Sequence, residues 1–432
     1  MKKYRLATIT AAALLLTGCG KSVGADEEAT TSAATTTTAT VQTTAATTTA
    51  TTVTTTKKIS TDIPDSVVLD SVAEVEVYSK TTIAELITDN NVKLTAPADI
   101  IDTDGLGEKK AKVSFQYEGS LYEKEVAYNV VDTTPPLILN SGWEPYAKVG
   151  EPFNIDRIIG YVDNYDRAPT VTYSGEVDTS EVGRADLAVT VTDSSGNSTD
   201  FDLTVLILNE IPRPEDNNAR VAYSDFIDTY SYYDDISYGI DVSAWQTNVD
   251  YNAVKDEGCE FVLMRMGYYY RDEPVMDDYY RQNMENASAA GLDVGVYFYS
   301  ADNTEEGARE HARWIIEQLD GRQLDFPIAF DWEEWATFQE YGMNIRDLNN
   351  VFEAFADECE KHGYSAMLYS SKNFLNNFWE NRGNHPVWLA HYVDETDYEG
   401  SFAIWQASAY GRIDGIAGDV DMNIRFNSVP LE

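Results

Sequence analysis

After Tyr238, short apolar runs alternate with stretches of helical spacing, and no other feature restricts the possible folds as strongly. The runs are Gly239–Val242, Phe261–Met266, Val294–Tyr299, Ile328–Phe330, Ala366–Tyr369, Val387–Tyr392 and Phe402–Trp405. Each has the length of a buried strand. Between two of them, Ile345, Leu348, Val351, Phe352, Phe355 and Cys359 recur every three or four residues, which places one apolar stripe along a helix. Asn303 with Glu306 predicts a capping box at a helix start, and Gly363 predicts a helix stop. Strand–helix alternation implies a parallel sheet, and a series this long favours closure into an α/β barrel over 237–432.

Upstream the period changes. Between residues 59 and 208, Val113, Phe115 and Tyr117 face one way while Lys112, Ser114 and Gln116 face the other. Val126, Tyr128 and Val130 repeat this alternation, as do Phe201, Leu203, Val205 and Ile207. Asp104-Gly105, Ser174-Gly175 and Ser195-Gly196-Asn197 punctuate the strands as turns. Asp102-Thr103 with Leu106-Gly107 recurs as Asp178-Thr179 with Val182-Gly183 at a constant offset, so two copies of one all-β unit are expected, 59–132 and 133–208. Asp132-Thr133-Thr134-Pro135-Pro136 and Asp193-Ser194-Ser195-Gly196-Asn197 resemble the edges of bacterial Ig-like surface domains. That resemblance implies small sandwiches serving as spacers or adhesive modules. Asp163, Asn164 and Asp166 offer part of a calcium loop, but the ligand spacing is incomplete and a solvated turn is the expectation. Residues 209–236, polar and Tyr-rich with Pro212 and Pro214, are expected to be a linker.

At the N-terminus, Lys2, Lys3 and Arg5 precede the apolar run Leu6 to Leu16, too short for a permanent membrane span. It ends in Leu16-Thr17-Gly18-Cys19, which resembles the lipobox of bacterial lipoproteins. The resemblance implies a signal peptide at 1–18 and lipid on Cys19, so that the chain is exported and held at the cell membrane facing the wall. Residues 19–58 are expected to be a disordered stalk: Ala29 to Thr56 is mostly Thr and Ala and has no charge. The net charge is −42, from 31 Lys+Arg against 73 Asp+Glu over 432 residues. Nucleic acid is therefore excluded as a partner, since phosphate binding needs basic side chains to release counterions. Of three cysteines, Cys259 and Cys359 fall in the barrel region, where Cys359 fits the apolar helix stripe better than a disulfide.

The barrel region places acids where strands end. Asp241 closes Gly239-Ile240-Asp241-Val242-Ser243, Asp331 and Glu333 close Pro327-Ile328-Ala329-Phe330-Asp331-Trp332-Glu333, and Asp421 lies in Gly418-Asp419-Val420-Asp421-Met422-Asn423. Residues i and i+2 of a strand share a face, so Asp331 and Glu333 are neighbours. Barrel chemistry gathers at the C-terminal strand ends, which brings all four into one pocket. Clustered carboxyls suit glycoside hydrolysis, which needs one protonated acid beside an ionised partner, and crowding supplies the split in pKa. In so acidic a chain some strand-end acids arise by chance, and the spacing alone does not decide.

Longer blocks do. Gly239-Ile240-Asp241-Val242-Ser243-Ala244-Trp245-Gln246, Ala290-Gly291-Leu292-Asp293-Val294-Gly295-Val296-Tyr297-Phe298-Tyr299-Ser300, Phe330-Asp331-Trp332-Glu333, Val387-Trp388-Leu389-Ala390-His391-Tyr392, Ile404-Trp405-Gln406 and Val420-Asp421-Met422-Asn423 resemble, in order, the lysozymes of glycoside hydrolase family 25. The resemblance implies a cofactor-free N-acetylmuramidase on a flattened, irregular TIM-like barrel, cutting the β-1,4 bond after N-acetylmuramic acid in the glycan strands of peptidoglycan. It makes Glu333 the general acid/base and Asp331 the group that orients or charge-stabilises the substrate acetamido group. Asp241 and Asp421 complete an acidic floor. Thr247 stands where Gly is common, and Arg265-Met266-Gly267-Tyr268 replaces a Lys-x-Ser/Thr-Glu-Gly run. Trp245, Tyr297, Tyr369, Trp388, Tyr392 and Trp405 are the candidate sugar-facing aromatics, with Gln406 beside them, although strand-rich domains bury about half of such rings anyway. His311, His362, His385 and His391 lack metal-ligand spacing and are expected to be structural, with no metal bound. A monomer is expected. Two rivals stand beside this reading: a glycan-binding envelope adhesin that does not cut, and a hydrolase of another amino sugar polymer such as chitin.

Overall fold

Residues 59–139, 144–212, 218–271, 273–380 and 383–431 are described by a computed structural model; the leader, Cys19 and the Thr-rich stretch lie outside them. Contacts divide the described residues into two units, the first from 59–73, 80–102 and 108–129, the second from 74–79, 103–107 and those after 129.

Strands Gly107–Tyr117 and Ser120–Val131, whose residues 108–129 belong to the first unit, form a long hairpin. Glu118 and Gly119 turn it with φ of 46° and 85°, the positive values that a two-residue hairpin loop requires. Lys93–Leu94 pairs antiparallel on one edge and Ile59–Ser60 parallel on the other. Val113, Phe115, Val126, Tyr128 and Val130 are buried, as the alternation predicts.

The second unit contains a sheet of the same strand order. Gly183–Thr192 and Ser198–Leu208 make the hairpin, Thr170–Ser174 joins antiparallel and Tyr146–Lys148 parallel. The sequence repeat thus has a structural counterpart: Gly107 and Gly183 each open the first hairpin strand, and the Thr103 and Thr179 carbonyls accept from Tyr78 N and Gly150 N at 3.1 and 2.8 Å.

The remainder of this unit is a closed barrel of eight strands: β1 (Ile236–Val242), β2 (Phe261–Tyr270), β3 (Asp293–Ser300), β4 (Ile328–Trp332), β5 (Ala366–Ser371), β6 (Val387–Ala390), β7 (Ile404–Arg412) and β8 (Val420–Phe426). β1 through β7 pair in parallel. β8 departs from the expected parallel sheet. It runs antiparallel to both β1 and β7 and closes the barrel between them. Residues 413–419 are too few for the crossover that a parallel return needs.

The helices of the barrel region are α1 (Tyr223–Tyr230), α2 (Tyr251–Asp256), α3 (Tyr280–Ala290), α4 (Glu305–Leu319), α5 (Ile345–Lys361) and α6 (Lys372–Asn377). α1 falls inside the stretch expected to be a linker. Val221 pairs with Gly411, and Tyr223, Phe226 and Tyr230 enter the barrel's apolar core. Their spacing puts three rings on one face of a helix whose other positions are polar, so the average polarity hid a packed element. α4 is capped by Thr304, whose side chain accepts from Gly307 N, rather than by Asn303, which donates to the Tyr341 carbonyl. α5 ends at Lys361, and Gly363 just beyond its His362 cap takes φ of 83°, the helix stop expected. Cys259 and Cys359 are free and buried.

The sheet and barrel of the second unit meet at the start of α5. Asp163 O accepts from Ile345 N at 2.9 Å, Tyr165 O accepts from Asn344 Nδ2 at 2.6 Å, and Arg167 Nη2 donates to Asp347 at 2.8 Å.

Candidate active site

All four candidate acids lie at one end of the barrel. Asp241 is the penultimate residue of β1 and Asp331 of β4, while Glu333 follows immediately after β4. Asp421 stands near the start of β8, and the antiparallel course of that strand brings it directly opposite Asp241 in register. Asp331 lies in register between Tyr299 of β3 and Tyr369 of β5. Two residues before Asp241 on the same strand face, a Cβ on Gly239 would sit 2.5 Å from the Phe261 ring. Only glycine fits beneath the carboxylate.

Amide groups hold the first pair of acids. Asp241 Oδ2 accepts from Gln406 Nε2 and Asn423 Nδ2, both at 2.8 Å. Gln406 Oε1 in turn accepts from the Tyr369 hydroxyl at 3.0 Å and the Tyr392 hydroxyl at 2.8 Å, and Asn423 Oδ1 accepts from Trp388 Nε1 at 2.8 Å. Each amide is therefore locked in one orientation, with its N–H turned toward the carboxylate. Arg265 is fixed on buried Asp277, Nη2 to Oδ2 at 2.8 Å, and its charge bears on Asp331.

Burial and crowding push the acids toward protonation. Burial raises Asp241 to about 6, against hydrogen bonds from Asn423 and Gln406 that favour its charge. Asp421 is held well above the usual carboxylate range by burial and by Asp241. Burial, the Glu333 charge and a hydrogen bond with Glu333 hold Asp331 well up, and one of its oxygens, Oδ1, has no hydrogen-bond partner. Glu333 is reachable by solvent, yet the surrounding cleft removes much of its bulk water and raises its pKa. Hydrogen bonds from Asp331 and Tyr369 pull it back, while Glu334 and Asp241 push it up. Two acid pairs thus compete for protons, and each titrates as a pair.

The sequence profile described as Glycosyl hydrolases family 25 matches residues 240–416. The chain is 30% identical over 204 residues to the Escherichia coli K12 protein YegX, covering 45% of this chain and 71% of that one. The chain belongs to glycosyl hydrolases family 25. It is also 30% identical over 189 residues to the autolytic lysozyme of Clostridium acetobutylicum, across 43% of this chain, and spans 54% of that protein's length. Lysozyme M1 of Streptomyces globisporus is 28% identical over 204 residues, across 44% of this chain and 67% of that one.

Within this family 25 barrel the candidate aromatics separate. Trp245 is 64% exposed and Tyr392 47%, and Tyr297 is half-buried. Trp388 and Trp405 are fully buried and have no face for a sugar. Trp388 packs edge-on against Tyr297 and Tyr369, and Trp405 against Tyr230. Gln406 is likewise buried, its amide occupied by Asp241 and the two tyrosines, so it positions an acid instead of meeting substrate. Tyr369 is mostly buried and serves the same network. His391 turns its ring to Thr396, and His311 is bound to Asp302. Thr247 carries φ of 55°, which accounts for glycine being usual there.

The sequence names Asn423 and Arg265 only within motif runs, without a role, and gives no sign of Asp277 or of the Tyr299–Glu334 hydrogen bond of 2.9 Å. Asn423 was accessible, because it stands two residues after Asp421 and shares its strand face. Nothing along the chain links Arg265 to Asp277.

Proposed function

We propose that this chain is a muramidase that hydrolyses the β-1,4 bond after N-acetylmuramic acid in peptidoglycan, without a cofactor. The observation that carries the reading is the union of Asp331 and Glu333 with Asp241 and Asp421 at one barrel end, all with raised pKa. Glu333, the most exposed of the four, donates the proton to the leaving oxygen. Asp331 beneath it supplies or withdraws the shared proton and orients the acetamido group. A retaining route then proceeds through a carboxylate or through the substrate's own acetamido oxygen. Exposed Trp245 and Tyr392 offer ring faces to the pyranoses.

In this reading the chain is a monomer displayed at the envelope. Cys19, outside the described residues, carries lipid, and Ig-like β domains at 59–132 and 133–208 act as spacers. Lysis of peptidoglycan embedded in a gel, with no cutting of chitin oligosaccharides, is the expected outcome. A glycan-bound chain that lyses nothing would make it an adhesin, and cleavage of chitin alone would move the substrate.

A further inference from the structure

Outside the barrel, a second group of acids converges. Asp132, Asp163 and Asp193 each bring a carboxylate oxygen within 4.8 Å of the other two, and all three are buried. Asp132 accepts from Thr134 N at 3.3 Å and Ser195 Oγ at 2.9 Å, and Asp193 from Asn197 N and Nδ2, both at 2.8 Å. Asp163 accepts from Tyr165 N at 2.9 Å and Asp166 N at 2.6 Å, both at Oδ1. Its other oxygen, Oδ2, is buried without a hydrogen bond on a residue only 1% exposed. The next side chain, Asn164, also buries its Oδ1 without a partner. The basic residue of this loop, Arg167, is paired with Asp347 instead. Three buried carboxylates and an orphaned oxygen favour a bound positive charge, and among the described residues no Lys, Arg or His is ion-paired with them.

We propose that Asp132, Asp163 and Asp193 form a calcium site in the second β unit. Hard oxygen donors, with no His or Cys among them, suit calcium, whose coordination is irregular and flexible, better than zinc or magnesium. The site joins the chain at 132, the loop from 163 and the turn at 193–197, residues far apart in sequence. That loop also seats the barrel, through Asp163 O on Ile345 N and Tyr165 O on Asn344. Occupancy therefore fixes the attachment of sheet to barrel, independently of whether the barrel hydrolyses anything.

The test is calorimetric titration of the chelator-stripped full chain with calcium, paired with thermal melts in chelator and in millimolar calcium. One calcium per chain is expected, at about 10⁻⁴–10⁻³ M as in modules that meet extracellular calcium, with a higher Tm in its presence. Asp163→Asn abolishes the titration and reverses sign against wild type, melting higher in chelator and lower in calcium. Asp193→Asn also loses the titration, while Glu333→Gln keeps it. Absence of stoichiometric uptake, uptake that survives both Asn substitutions, or an equal response to magnesium would overturn the assignment.

Discussion

Two carboxylate clusters in one chain reach a similar pKa among different hydrogen-bond partners. Asp241 and Asp163 both stand at about 6, each chiefly because burial disfavours the charge. In the barrel the acids hydrogen-bond to one another, Asp331 with Glu333 and Asp241 with Asp421, and side-chain amides fix Asp241. In the β unit Asp163 receives only backbone N–H groups and keeps an empty-handed oxygen. A cluster whose members share protons is equipped to move a proton. A cluster whose members share none, and receive donors only from the periphery, is equipped to hold a cation. A raised pKa alone does not separate the two; the partners do.

The largest expected effect that separates them is on turnover. Glu333→Gln keeps the shape and loses the proton, so hydrolysis falls by about 10²–10⁴-fold while the calcium response is untouched. Release of reducing sugar from peptidoglycan measures it, and near wild-type turnover would remove Glu333 from the role of acid. Next comes a stability difference. Asp163 is destabilising once ionised, because its folded pKa lies above the unfolded 3.8. In chelator, wild type therefore loses stability relative to Asp163→Asn as pH rises from about 4 to about 6, by up to about 3 kcal/mol, and the gap stays constant above. Paired melts across that window check it, and a gap independent of pH would mean that Asp163 is not strained by charge.

A smaller effect probes the shared proton of the barrel. In Asp331→Asn the acid depends on Glu333's own proton, whose pKa is raised less than that of the pair. Activity should fall and the basic limb of the pH–rate profile should move to lower pH. An unchanged limb would show that the two carboxyls are not coupled. The smallest effect concerns Tyr392→Phe. Gln406 Oε1 keeps the Tyr369 hydroxyl, so loss of one hydrogen bond, about 0.5–1.5 kcal/mol, should reduce kcat/KM less than about 15-fold. A far larger loss would mean that the Tyr392 hydroxyl meets substrate directly.

The barrel was legible because buried strands are short apolar runs: each of the seven runs named from sequence lies on or overlaps β1 through β7. The direction of β8 was not, since it depends on a short return that leaves no periodic mark. The four acids were legible from their strand-end positions, but their order of proton affinity was not, because it comes from neighbours on other strands. Trp388 and Trp405 looked like sugar platforms, although which face of a strand turns inward is decided only when the barrel closes. Asp163 stood out with Asn164 and Asp166, yet the structure pairs it with Asp132 and Asp193, while Asp166 accepts from Ala168 N and Ser194 N instead. Local spacing finds a contiguous calcium loop; it cannot find ligands assembled from three loops.

The acid pair at the C-terminal end of β4 is proposed to cut the glycan after N-acetylmuramic acid. Digestion of purified peptidoglycan by wild type and by Glu333→Gln, with mass spectrometry of the fragments, tests it most directly. New reducing ends carrying N-acetylmuramic acid in the wild-type digest, and none above background in the variant, are expected. New ends carrying N-acetylglucosamine, or equal fragmentation by the variant, would contradict it.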